Sequence, residues 1–373
     1  MSKYLRLQLK VFTILIIFSS CKDGGILDDA ETPNANVTSK LVFDNVNGTD
    51  VVIVGNPASN FIVSFELQLS NGRVPNLEVV NGRLPIILKD ENGNLYDIFG
   101  RIVEGEDAGA KLLPILSYQS YWFAIAALFP GVEIYGRGEE NVDLDLKTNP
   151  DWSIPTSNIF VGTGFDAIPS IDEPKLILIN NDGPNIDQSM IPDGNDLVIG
   201  IIEGGEPIAY PHNILNWHEI LNQVVADYSI TVSFCPLTGT AIGWKSDESS
   251  FGVSGLLYNS NLIAYDRETE SLWPQMLASS VKGDLRDEQL STFSVTETKW
   301  STWSTMYPDT KLLSKETGFA RDYDTTPYRG YIENNDLIYY PLDYEDDRLP
   351  NKERVHAVSI DKKAKVYTFD DFE

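Results

Sequence analysis

Residues 121–135 read YWFAIAALFPGVEIY, and residues 299–313 read KWSTWSTMYPDTKLL. Trp122 aligns with Trp300, Ile125 with Trp303, and Phe129-Pro130 with Tyr307-Pro308, at a constant offset of 178. Within each stretch a proline, Pro130 or Pro308, follows the aromatic run and cannot continue a helix, so each predicts one short helix ending there. Two further blocks precede them in the same order. IVSFELQLSNG (62–72) answers TVSFCPLTGT (231–240), and ILKDENGNLYDIFGRIVEG (87–105) answers AYDRETESLWPQMLASSVKG (264–283). Three blocks in one order predict an internal duplication. LVIGIIEGGEPIAY (197–210) also resembles RVHAVSIDKKAKVY (354–367). Both alternate apolar residues around a Gly or Lys turn, the pattern of a β-hairpin.

The remaining signals are mostly strands. DVVIVG (50–55), NFIVSFELQL (60–69), YSITVSF (228–234) and TAIGWK (240–245) are β-branched or aromatic and bounded by turn residues. HNILNWHEILNQVVA (212–226) is the exception, with apolar residues at 214, 217, 221 and 224. That spacing predicts a helix with Asn213 as its N-cap. The expected fold is α+β and β-rich. It has two related halves, each mainly antiparallel strands with one or two helices. The expected boundaries are a first unit at 40–135, a connector at 136–190, a second unit at 191–313, and a Tyr-rich tail with a closing hairpin at 314–373.

The N-terminus predicts export. Lys3, Arg6 and Lys10 precede the apolar run VFTILIIF, and SSC follows. A basic start, a short apolar core and small residues describe a signal peptide at 1–20. FSSC resembles a lipobox, which makes Cys21 the lipidated first mature residue and 21–39 a flexible polar tether. A plain cleaved signal is the alternative. The expected location is the cell envelope, anchored to a membrane, with the outer membrane favoured. The net charge of -27 and pI near 4.4 argue against nucleic acid and against docking on anionic lipid.

With Cys21 acylated, Cys235 is the one thiol left, so no internal disulfide is expected. It follows a strand and precedes Pro236, at a strand end where a loop can open a site. It is either a small buried hydrophobe, a nucleophile with a lowered pKa, or a metal thiolate. His218, on the expected helix, is a candidate base or ligand beside it, or a hydrogen-bonded core histidine. Glu219 and Asp266 are candidate orienting carboxylates. His212, His218 and Cys235 form the candidate set for one transition metal ion. H-E-x-x-H is not present, because Asn222 takes the second histidine's place. Tyr265, Arg267, Trp273, Arg321 and Tyr323 are candidate ligand-facing groups, set against a solvated turn at 265–273 and simple tail packing. His356 in the closing hairpin is expected to be structural. NNDGPNID (180–187) resembles a calcium loop only faintly, lacking the full acidic pattern.

AYPHNILNWHEILN, FCPLTGTA, FGVSGLLYNSNLIAYDRETESLW and RDYDTTPYRGY resemble the family catalogued as domain of unknown function 3179 over about residues 60–367. The resemblance implies an exported or membrane-associated bacterial or archaeal protein and no particular activity. Many members carry C-P-L-C, whereas Thr238 stands at the second cysteine here, so the resemblance implies no Cys-x-x-Cys pair. Two functions stay open: thiol-based or metal-assisted chemistry at Cys235 and His218 on a small molecule, or ligand or partner binding with Cys235 buried. A structural envelope protein is a third.

Overall fold

The short β-branched runs pair into six sheets in the computed structural model, which describes residues 38–179, 186–246 and 249–373. All but two of the strand pairings are antiparallel. The expected signal peptide, Cys21 and most of the expected tether and of NNDGPNID lie outside the described residues. Among those described, no helix is long and apolar enough to cross a membrane.

Both predicted hairpins form. Leu197–Glu203 pairs with Glu206–Pro211 around Gly204-Gly205, and Arg354–Ile360 pairs with Lys363–Thr368 around Asp361-Lys362. All four turn residues have positive φ, the geometry that matches strand twist in a two-residue turn. Each hairpin clasps a helix-bearing segment. Strand Thr296–Lys299 runs against Leu197–Glu203, the helix Trp300–Met306 follows, and Lys311–Leu313 returns parallel to Glu206–Pro211. Strand Ser117–Tyr121 runs against Arg354–Ile360, the helix Trp122–Leu128 follows, and Glu133–Ile134 returns parallel to Lys363–Thr368. The C-terminal hairpin therefore completes a sheet with strands from the first half of the chain.

The first of these helices is apolar because it is enclosed, whereas the second buries Trp300, Thr302, Trp303 and Met306 and leaves Ser301 and Thr305 exposed. Trp122 through Ala127 are all buried. Trp303 is fully buried, and a Cβ at Gly200 would stand 2.0 Å from its ring, so the strand beneath must carry glycine there. Truncating so large a buried ring costs about 3–5 kcal/mol.

The helix expected over 212–226 is a correction. Only His212–Leu215 is helical, and Ile220–Val225 is a strand paired with Tyr228–Cys235. Pro211, not Asn213, takes the N-cap position. Val224, the last member of the supposed apolar stripe, is 69% exposed. Adjacent valines and three asparagines favour helix weakly, and six consecutive pairings with the neighbouring strand prevail. Between helix and strand, Glu219 takes φ 57 and turns the chain.

The Tyr-rich segment 314–349 has little regular structure beyond one helical turn, Arg329–Ile332. It lies across the second half and buries Tyr323 and Tyr331.

Candidate functional site

The residues singled out in the sequence separate into four places. The strand Tyr228–Cys235 alternates its side chains between faces. Phe234 packs in one core cluster with Ile214, Leu215 and Tyr323, and Cys235 in another with Trp244, Trp273 and Tyr331. The thiol thus faces away from the side on which Phe234 and Pro236 help line an open cleft.

Cys235 is 1% exposed, and its Sγ lies 3.8 Å from the Ser260 carbonyl. Burial pushes the thiol up to about 11, and the nearby Glu219 carboxylate adds to the rise. A nucleophilic cysteine needs the opposite, a thiolate favoured by a cation or base. Glu219 is also buried, and its own carboxyl is pushed up by burial to about 7, against the Tyr328 hydroxyl that donates to it at 3.4 Å. A buried carboxyl on a left-handed backbone, with one long hydrogen bond, is a costly arrangement.

His218 does not act on Cys235 in this arrangement. Its Nδ1 lies 2.7 Å from the Pro169 carbonyl and its Nε2 2.7 Å from the Tyr323 hydroxyl, so both nitrogens are occupied. Burial lowers its pKa. It ties the turn to the Tyr-rich segment, as does Trp217, whose Nε1 donates to the Thr325 carbonyl. Arg321 stands 5.8 Å over the Trp217 ring.

Asp266 organises a turn. It accepts from the Thr269 backbone at 2.7 Å and from Trp273 Nε1 at 3.0 Å while 2% exposed. Tyr265 donates to Asp166 at 2.7 Å and packs on Phe165. Arg267 pairs with Asp172 at 3.1 Å and with the hydroxyls of Ser170 and Ser250. These side chains satisfy one another.

His212 faces Glu297 at 3.0 Å but off the line of a hydrogen bond, so its buried Nε2 has no hydrogen-bond partner among the described residues. Its ring rests on Phe234 at 4.2 Å. Among the described residues no three His, Cys, Asp or Glu side chains are gathered to hold a metal ion. His212, His218 and Cys235 each have separate surroundings.

The cleft beside His212 has a volume of about 640 Å³. Tyr121, Phe234, Pro236 and Ile332 supply apolar wall, and Asn213, Asn216 and Tyr323 supply polar groups. Tyr121 arrives from the first half because its backbone N–H donates to the Thr238 carbonyl at 2.7 Å. Gly239, at φ +61, lets the ring close in; a Cβ there would stand 3.0 Å from it. Asn213 Oδ1 is buried and has no hydrogen-bond partner among the described residues. Sequence reasoning found His212 and Tyr323 but missed Tyr121, Asn216 and Phe234. Asn216 stood within the quoted NWHE motif; nothing marked Tyr121, whose partner lies in the other half.

A family described as protein of unknown function, DUF3179, matches residues 165–373. The chain belongs to this family. The DUF3179 match spans just over half of the 373 residues. It contains Glu219, Cys235 and Tyr328 but begins after Tyr121, so it is shorter at its N-terminal side than the motif resemblance. No curated protein and no solved structure matches the chain.

Proposed function

We propose that this DUF3179 protein is a lipid-anchored cell-envelope protein that binds a small molecule in the cleft beside Phe234, with Cys235 as a packed core thiol. The cleft carries the proposal. It has the size and the mix of aromatic and polar lining that small-molecule sites use, with Asn213 and Asn216 along its wall. The raised thiol pKa favours binding over thiol chemistry. The test is a mixed fragment screen by saturation-transfer NMR on the soluble form beginning at Lys22, beside Asn216→Ala. Saturable binding weakened by that substitution is expected; no bound fragment refutes the proposal. Anchoring is tested separately, since Cys21→Ala should release the protein from membranes and remove acyl mass.

We further propose that the two halves arose by duplication. Hydrogen bonds that recur 178 residues apart, the spacing of Gln119 and Glu297, support this. Leu112 N–H to the Gly100 carbonyl answers Leu290 N–H to the Ala278 carbonyl. Ile102 N–H to Ala110 answers Ser280 N–H to Glu288. The Arg101–Lys111 bridge answers Ser279–Gln289.

A further inference from the structure

We propose that the cleft takes a small organic cation, an alkylamine or a quaternary ammonium. This rests on the cleft being the binding site. Its charged lining is Asp193, Asp196, Asp324 and Lys315, three carboxylates against one ammonium. Lys315 is already committed: its Nζ donates to Asp324 at 2.6 Å and to the Ser189 carbonyl at 2.6 Å. Asp193 and Asp196 have no cationic partner among the described residues; Asp196 Oδ2 accepts only the Asp193 backbone N–H, at 3.0 Å. The cleft therefore presents two uncompensated negative charges.

The rest of the lining suits the same ligand. Tyr121, Phe234 and Tyr323 offer aromatic surface, on which a cation is held by the ring quadrupole. Asn213 and Asn216 also line the cleft, and an amide oxygen can accept from an ammonium N–H. Behind His212, the buried Glu297 carboxylate adds negative potential, only partly answered by Arg354 at 3.4 Å. An anion would meet this field and the overall charge of -27. The volume exceeds that of a bare ammonium group, so the cation carries further substituents along the aromatic wall.

The experiment titrates the soluble form from Lys22 with choline, butylammonium, glucose and butyrate, by calorimetry at low and high salt. Choline or butylammonium should bind saturably and more weakly in high salt. Asp193→Asn and Asp196→Asn should each weaken binding about fivefold, the value of one unit-charge contact at about 4 Å across water. Both residues sit in a surface turn, so the variants should fold, which far-ultraviolet circular dichroism checks. Glucose or butyrate binding that is unchanged in both variants overturns the cation and leaves the cleft reading standing. If fragments bind in the NMR screen while neither cation binds, the cation alone is overturned. If nothing binds in either experiment, both readings fall.

Discussion

Glu219→Gln should make this protein more stable than the wild type at neutral and alkaline pH. The side chain is buried, its backbone is held at φ 57, and its one hydrogen bond is a 3.4 Å donation from Tyr328. Burial raises the carboxyl from 4.5 to about 7. The folded chain therefore holds this proton more tightly than the unfolded chain does. Its contribution to stability is complete below about pH 4.5 and is lost progressively as the pH rises to about 7. Above that, the deficit is constant. The whole shift corresponds to about 3 kcal/mol, a large share of a domain's net stability. Glutamine keeps the acceptor oxygen for Tyr328 and does not titrate. The difference between variant and wild type should therefore grow by about 3 kcal/mol across the window, most of it between about pH 5 and pH 7. Urea unfolding followed by tryptophan fluorescence, run on both proteins from about pH 5 to about pH 8, reads this difference directly. Every other titrating group largely cancels in the subtraction. A difference that stays flat with pH would refute the reasoning, because it would mean that Glu219 is ionised and well solvated in the folded state.

Three further outcomes are expected. In the soluble form beginning at Lys22, Cys235 should react with a thiol-specific dye only after unfolding, at one equivalent per chain, because the thiol is 1% exposed and pushed up to about 11; rapid reaction of the native protein would show the pocket to be open. Gly200→Ala places a methyl 2.0 Å from the Trp303 ring and should cost at least about 1–3 kcal/mol in urea unfolding; an unchanged midpoint would show that the ring has room to move. His356, buried with its Nε2 2.9 Å from Ser64 and its pKa pushed down by burial from 6.5 to about 3, should weaken the fold as the pH falls below about 6.5. Relative to wild type, His356→Asn should therefore lose about 2 kcal/mol less between about pH 7 and pH 5, and parallel profiles would show that His356 takes up its proton as readily in the folded chain as in the unfolded one.

The hairpins were legible because their evidence is local. Gly204-Gly205 and Asp361-Lys362 lie between alternating strands, and the turn chemistry alone sets the pairing. The helices ending before Pro130 and Pro308 were legible for the same reason. The stretch 212–226 was not, because its apolar residues fit two periods and the choice depended on pairing with Tyr228–Cys235. In the site, proximity in sequence misled. Cys235 and Phe234 are neighbours facing opposite cores, and His218 and Glu219 are neighbours with different partners, Tyr323 and Tyr328. The cleft itself needs Tyr121 from one half and Phe234 from the other, a meeting no local pattern announces.

The clasp between Ser117–Tyr121 and Arg354–Ile360 sets an order of events for synthesis. Gln119 waits for Arg354, 235 residues further along the chain, before its strand has a neighbour on that side. Ser64 waits longer still for His356, across 292 residues. A chain leaving the ribosome N-terminus first would therefore have its early strands unfinished until the final hairpin emerged. Under the proposed export to the envelope, that delay would be useful, since a membrane pore passes chains that have not yet closed. The last strands to be made would act as the fastener, and removing them would leave open an edge made at the start.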